Sequence, residues 1–389
     1  MKILFMANAP WVNTGYGVQG KHLVPALKRA GHEVAYFTFY GLGGGVLDVG
    51  GTKIYPLAAD PYGQDIVVGH MRDAGADTLI TLFDAWATPK LGGMMRAAGL
   101  RWLPWTPVDL DPVSPRLLQA VAQAHTVLAY SRFGEEQLRA AGLNNVAYIP
   151  HGISAEYTPG DQAAARAAIG LPQDAFIIGM VAANKSNPAR KAFPEQFAAF
   201  AEFARRHPDI NPLLYVHTMW ANVSAGIDVK ELAKACGIAD KVLFTDQYRY
   251  WTGLTEAEMA NLYRSFDVLS ATSYNEGFGI PILEAQACGT PVVTTAWTSM
   301  TELTWAGIAV GGQPWWEGNL ESWACVPFIS EITQAYETLL AKQRDAGERE
   351  RLAAQATAGA EPYRWANLID NYWLPTLAAI ENNTEVQHG

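Results

Sequence analysis

Short, almost continuously apolar runs alternate along the chain with stretches whose apolar residues recur at helical spacing. The runs KILFMA (2–7), EVAYFTF (33–39), DTLITLF (77–83), RWLPWTPV (101–108), HTVLAYS (125–131) and VAYIP (146–150) read as strands buried on both faces. Residues 17–31 (GVQGKHLVPALKRAG) and 132–142 (RFGEEQLRAAG) read as helices, stopped by Gly31 and Gly142. Strands alternating with helices in this way predict a parallel sheet covered on both faces.

From residue 152 to about 174 the chain turns rich in Gly, Pro, Ala and polar residues, which predicts a connection between domains. A second alternating set follows. Its strands are FIIGMVAA (176–183), PLLYVHTM (212–219), KVLFTD (241–246), FDVLSATS (266–273), PVVTTA (291–296) and GIAV (307–310). Its helices include 193–207, 228–237 and 256–266. The predicted organisation is an α/β protein of two Rossmann-like, doubly wound domains, 1–155 and 175–363, joined by a linker over 156–174. A helical tail, 364–389, carries an apolar stripe of Trp365, Leu368, Ile369, Tyr372 and Trp373 and is expected to pack back on the first domain. Pro375 is expected to kink or end that helix.

A chain of 389 residues suits two domains, and 49% hydrophobic with 17% charged residues makes it globular. The formal charge of −10 argues against a broad nucleic-acid surface, although one basic pocket is compatible with it. Cys236, Cys288 and Cys325 are scattered and suit free thiols in a reducing compartment. The first apolar run is too short for a signal peptide, and no run reaches membrane-spanning length, so a cytoplasmic location is expected.

The chemistry concentrates in 273–295, SYNEGFGIPILEAQACGTPVVTT. Here a strand is followed by a glycine turn and then a helix, with Pro281 at its start and Gly289 past its end. Gly277, Phe278, Gly279 and Ile280 thus lie between the C-terminal end of a strand and a helix N-terminus, where open parallel sheets bind ligands. The free amides of Gly279 to Leu283 would suit a phosphate. Glu284 is expected in the first helical turn on the crevice side, able to accept both hydroxyls of a ribose. Glu276 precedes it on the loop, nearer to whatever lies beyond the phosphates. One such glutamate alone would pass for a solvated carboxylate; the pair, with Gly-x-Gly and Pro between, is a much more specific pattern.

This stretch resembles the E-x(7)-E signature of the retaining, GT-B-fold glycosyltransferases grouped as family four, and SMTELTWAGIAV (299–310) resembles the helix and strand that follow it there. The resemblance implies a GT-B fold, with Glu276 contacting the donor sugar and Glu284 the ribose. It also implies that Lys185 and Lys191, in MVAANKSNPARKAF with Arg190 between them, bind the donor diphosphate, although many relatives have Arg at the position of Lys185. A leaving diphosphate needs fixed cations when no metal supplies them, and no metal or other cofactor is expected. Gly15 and Gly17, in the loop after the first strand, match a glycine-rich loop that faces the donor phosphates in relatives. Taken alone, that loop would also suit a dinucleotide, though TGYGVQG is a poor fingerprint.

The chain departs from the family in one respect. Many relatives carry a His after an acceptor-domain strand, where this sequence has WTPVDLDP, with Val108 and Asp109. Asp109, or Asp84 in LFDAW, is expected to orient the acceptor, the plain alternative being a turn cap. The DLD at 109–111 also resembles a GT-A metal motif, which the two-domain pattern does not support. His151 and His217 fall where a crevice could open, but a single histidine is more often structural. Trp11, Trp86, Trp105, Trp220 and Trp251 follow strand ends and suggest an aromatic-lined acceptor groove as readily as core padding.

The expected function is therefore metal-independent transfer of a sugar from a nucleoside-diphosphate sugar to an acceptor hydroxyl with retention. Alternatives are a catalytically silent sugar-nucleotide-binding protein and a nucleotide-sugar epimerase, the latter lacking a visible acid/base pair. A glycoside hydrolase built on Glu276 and Glu284 fits poorly, because its carboxyls would have to flank one bond.

Overall fold

The structure is a computed structural model and describes residues 1–220 and 225–382. The chain divides into two compact units. The first is Met1–Gly152 with Glu317–Ser322 and the chain from Tyr363; the second is Ile153–Trp316 with Trp323–Pro362.

The first unit holds β1 (Lys2–Asn8), β2 (Glu33–Tyr40), β3 (Leu47–Val49), β4 (Thr52–Tyr55), β5 (Thr78–Leu82), β6 (Arg101–Thr106), β7 (Val127–Ala129) and β8 (Val146–Tyr148). They form one sheet in the order β3-β4-β2-β1-β5-β6-β7-β8. All pairings are parallel except the short β3–β4 hairpin at the edge. That hairpin went unread in the sequence because β3, Leu47–Val49, is only three residues long, is exposed throughout and follows a glycine-rich loop. The order reverses direction between β1 and β5, so the loops leaving those two strands open a crevice at their C-terminal ends.

In the second unit, β9 (Phe176–Val181), β10 (Pro212–His217), β11 (Val242–Phe244), β12 (Val268–Ala271), β13 (Val292–Thr295) and β14 (Gly307–Val310) form a sheet ordered β11-β10-β9-β12-β13-β14. Every pairing is parallel. The switch point lies between β9 and β12. A separate two-stranded hairpin, β15 (Gly312–Glu317) and β16 (Ser322–Pro327), follows the sheet. Both sheets are covered by helices on both faces, as their continuously apolar strands require. No helix among the described residues is long and apolar enough to cross a membrane.

Residues 156–174, expected to be a linker, contain a helix, Gln162–Ile169, that lies within the second unit. The alanine enrichment reflects helix propensity rather than looseness. Asp161 accepts from the Ala164 amide, and Gly170 ends the helix in the left-handed conformation. Its Arg166 is buried. Its guanidinium donates to Asp267 Oδ2 at 2.7 Å and to the carbonyls of Ser265, Gln173 and Ala175 at 2.9–3.1 Å. Burial raises the Asp267 carboxyl, and Arg166 opposes that rise.

The tail is not ended by Pro375. Helix Trp365–Leu368 passes through a π turn, Ile369–Trp373, into helix Leu374–Glu381, where Pro375 is in the first turn and needs no amide. Trp365 packs where the first unit closes: a Cβ on Gly152 would lie 2.6 Å from its ring. The buried Gln19 amide both donates to the Gly152 carbonyl (2.8 Å) and accepts from its amide (2.9 Å).

Replacing Arg166 by Met would leave Asp267 buried without its cation. Breaking a buried pair from one side costs about 3–5 kcal/mol, so equilibrium denaturation of Arg166→Met should show a loss of that size, whereas a linker substitution would change little.

Candidate active site

The loops leaving β9 and β12 meet at the switch point of the second sheet. From β12 the chain runs through Ser273, Tyr274 and Asn275 to Glu276. From β9 it runs to Arg190 and Lys191, just before helix Phe193–Arg206. The Tyr274 amide donates to the Arg190 carbonyl at 2.8 Å, which stitches the two loops together. Lys191 Nζ donates to Glu276 Oε1, and Ser273 Oγ donates to the same oxygen at 2.6 Å. Arg190 Nη1 lies 3.6 Å from Glu276 Oε2 while donating to the carbonyl and Oδ1 of Asn275 at 2.6 and 3.1 Å. Gln196 holds the Lys191 carbonyl from the following helix at 2.7 Å.

The backbone of the turn is also clamped. Thr298 Oγ1 donates to the Glu276 carbonyl at 2.9 Å, and Ser299 Oγ lies 2.8 and 2.9 Å from the carbonyls of Glu276 and Phe278. Thr298 and Ala192, the residue after Lys191, both sit at positive φ (49° and 51°). Such conformations cost of order 1 kcal/mol in non-glycine residues and persist where surroundings impose them. Gly279 occupies the same region at φ 108°, and there glycine is required.

The Glu276 side chain is only 14% exposed. Burial would push its carboxyl up, but the Lys191 ammonium and then the Arg190 guanidinium overcome burial and hold it down at about 2. Glu276 is thus a fixed anion beside fixed cations. Lys191, Glu276, Gly279 and Pro281 line a recess with Val181, Ser270 and Ser273.

Glu284 behaves in the opposite way. Helix Ile280–Ala287 starts one residue before Pro281, which puts Glu284 in its second turn rather than its first. The side chain is buried, the Tyr263 hydroxyl donates to Oε2 at 2.7 Å, and the Tyr157 hydroxyl also hydrogen-bonds it. Burial raises the carboxyl to about 7, against the two tyrosines. The expected row of free amides is shorter too. Pro281 has none, and those of Ile282 and Leu283 donate to the Gly279 carbonyl at 2.9 and 3.3 Å. Gly277 and Phe278 are buried in the turn, and Ile280 is half-buried.

Other expected residues stand apart from this constellation. Lys185 is exposed and makes no ion pair among the described residues. In the first unit, Gly15 opens helix Gly15–Arg29, while the Gly17 amide donates to Thr14 Oγ1 at 3.2 Å. A Cβ at Gly17 would lie 2.3 Å from the Val12 carbonyl oxygen, so that glycine admits the loop's own backbone. Asp109 is half-buried after β6, and Asp84 precedes a short 3-10 turn without a side-chain cap bond. His151 is buried against Trp105 and Tyr130, and burial pushes it down to about 3. His217 is likewise pushed down to about 4 and sits 2.8 Å from Thr245 Oγ1. The expected aromatic groove loses Trp105, which is fully buried and donates to the Ile149 carbonyl; Trp11, Trp86 and Trp251 are exposed. Sequence reasoning missed Ser273, Asn275, Thr298 and Ser299, whose polar groups lie close to Glu276 but carry no spacing signal, and the two tyrosines on Glu284.

Residues 161–306 match the model of the family described as Glycosyl transferases group 1. The D-inositol 3-phosphate glycosyltransferase of Stackebrandtia nassauensis is 29% identical over 329 residues, covering 81% of this chain and 68% of the relative. That of Kribbella flavida is 28% identical, covering 84% and 73%. Among solved structures, sucrose-phosphate synthase from Thermosynechococcus elongatus superposes with a TM-score of 0.78 at 18% identity, over 98% of this chain and 99% of that one. Anabaena HepE in complex with UDP and glucose gives 0.70 at 17%, over 97% and 100%. The chain has a GT-B fold and carries a glycosyltransferase domain. The matched segment of that domain contains the Lys191–Glu276 pair, the glycine turn and Glu284, together with the helix Gln162–Ile169.

A carboxyl raised on folding stabilises the fold fully below its unfolded value, near 4.5, and that contribution is lost as pH rises through about 7. Wild type should therefore lose up to about 3 kcal/mol relative to Glu284→Gln between pH 4.5 and 8. Denaturant titrations of both proteins at the two pH values test this, and parallel stabilities would remove the buried-acid assignment.

Proposed function

We propose that the protein is a retaining glycosyltransferase of the family-four kind, moving a sugar from a nucleoside-diphosphate donor to an acceptor hydroxyl without a metal. The observation that carries this reading is the Lys191–Glu276–Arg190 cluster at the N-terminal mouth of helix Ile280–Ala287. Breaking the bond from the anomeric carbon to phosphate leaves negative charge on the diphosphate. Lys191 and Arg190 are fixed cations positioned to neutralise it, the role a metal plays elsewhere. Lys185 is assigned to the same diphosphate as a second lysine, and Gly15 and Gly17 are assigned to donor binding.

Glu276 accepts hydrogen bonds from donor-sugar hydroxyls and orients Lys191. Held down at about 2, it stays ionised at any physiological pH and does not act as a general acid. The acceptor oxygen attacks the anomeric carbon on the face that the phosphate leaves, and its proton passes to the departing phosphate oxygen. Retention then needs no enzyme nucleophile. Asp109 is assigned to orient the acceptor. Glu284 is assigned to the ribose hydroxyls, which it accepts as a carboxylate once pH exceeds about 7, with Tyr263 and Tyr157 holding it. A hydrolase reading is disfavoured because Glu276 lines the recess, whereas Glu284 is buried among tyrosines.

A thermal-shift screen with uridine-, guanosine- and adenosine-diphosphate sugars in chelator identifies the base. Transfer is then assayed with D-inositol 3-phosphate, the acceptor in the relatives' name, and with uncharged sugars. Absence of any shift would sink the donor assignment, and a shift with no transfer to any acceptor would point to a silent binding protein. Glu276→Gln should depress turnover at least tenfold while leaving donor affinity within a few-fold; unchanged turnover would remove it from the site. Glu284→Ala should weaken donor binding about 100-fold or more, the equivalent of two hydrogen bonds to a charged acceptor, measured by calorimetry.

A further inference from the structure

The β15–β16 hairpin stands outside both parallel sheets, and no part of the proposed donor chemistry uses it. Four residues connect its strands, which makes it antiparallel. Its inner side belongs to the donor turn. The Cys325 amide donates to the Tyr274 carbonyl at 2.9 Å, and the Trp315 ring lies 6.2 Å from that of Tyr274, two residues before Glu276. Tyr274 is in turn fixed by its hydroxyl on Glu195 at 2.8 Å. Gly312 seats the hairpin close, since a Cβ there would lie 2.5 Å from Cys325 Sγ and the Val326 carbonyl oxygen.

Its outer side presents two indoles. Trp316 and Trp323 are 48% and 42% exposed, with ring centroids 5.2 Å apart at an interplanar angle of 69°. Two adjacent half-exposed indoles form an apolar patch that is costly to leave in water, and such patches mark binding surfaces. The charge around them selects among ligands. The hairpin sequence 312–327 contains Glu317 and Glu321, no lysine or arginine occurs between Arg264 and Lys342, and Arg116, which comes to 3.7 Å from Glu321, has its charge offset by that pairing. That composition disfavours a nucleic acid or an anionic bilayer, both of which need cations. A neutral polyol fits: indole faces cover its C–H surfaces, and carboxylate and amide groups accept or donate to its hydroxyls.

We propose that the outer face of the β15–β16 hairpin is a carbohydrate-binding platform, on which Trp316 and Trp323 hold a neutral pyranose unit of a glycan acceptor beside the donor turn. The proposal rests on the glycosyltransferase reading and narrows its acceptor to a glycan longer than one sugar.

Calorimetric titration of the full chain with neutral hexasaccharides (α-glucan, β-glucan and α-mannan) tests it. The same titrations are run on Trp316→Ala, Trp323→Ala and the double variant, with nucleoside-diphosphate-sugar thermal shifts on each and phosphatidylcholine vesicle sedimentation alongside. The expected result is saturable binding of at least one hexasaccharide by wild type, weakened at least tenfold in each single variant and lost in the double, with the nucleotide shift retained throughout. Retention of that shift shows that the variants are folded. The platform is overturned if no hexasaccharide binds at millimolar concentration, if the double variant binds as wild type does, or if the tryptophans govern vesicle capture instead. Hexasaccharide binding that depends on the two tryptophans, in a wild type that no nucleotide sugar shifts, would support the platform and overturn the transferase reading.

Discussion

One carboxylate, kept ionised although it is mostly withdrawn from water, sets the layout of the candidate site in the second unit. Burial alone would drive a proton onto Glu276; Lys191 and Arg190 reverse that balance. Each partner must then be held against the pull of the others. Ser273 fixes the carboxylate, Asn275 engages Arg190, Gln196 fixes the Lys191 carbonyl, and Thr298 and Ser299 grip the turn from behind. Removing one charge would leave an uncompensated ion in a low-dielectric recess, which is why such clusters are rigid.

The parallel sheet makes this arrangement possible. Strands β9 and β12 are neighbours, yet their outgoing loops lead to opposite faces, so a crevice opens between them where side chains from distant segments converge. Positive φ at Ala192 and Thr298 lies at the two ends of the cluster. The backbone strain there is borne by a core in which helix Phe193–Arg206 contributes Phe193, Phe197, Phe200 and Phe203 to contiguous packing.

The architecture was legible because strands buried on both faces are continuously apolar, and the glycine turn was legible because its punctuation is local. Glu276 could be named from that same turn, whereas Lys191 was named only through the resemblance to a known family. What went unread depends on contacts across the chain. Nothing in PILEAQAC announces that Tyr263 and Tyr157 reach Glu284, or that its helix starts one residue early. The Ala-rich segment at 162–169 looked loose because Gly, Pro and Asp flank it, whereas those residues are its cap and its stop. The β15–β16 hairpin was invisible because two adjacent tryptophans point to opposite sides of a strand, which erases any clear alternation in exposure.

The closure of the first unit at Gly152 has a practical meaning for protein engineering. Gln19 binds both backbone groups of Gly152 in the manner of a neighbouring strand, and Trp365 leaves no room for a side chain there. The point where the chain leaves this unit is thus locked by its own first helix and its own returning tail. A chimera that exchanges the second unit has its seams dictated by those contacts: cuts placed after Gly152 and before Tyr363 keep the lock in one parent, and the loop Glu317–Ser322, which belongs to the first unit, must travel with the recipient. Fusions joined within the lock would mate a glutamine from one parent with a backbone from another, and the cassette would be spliced through its own latch.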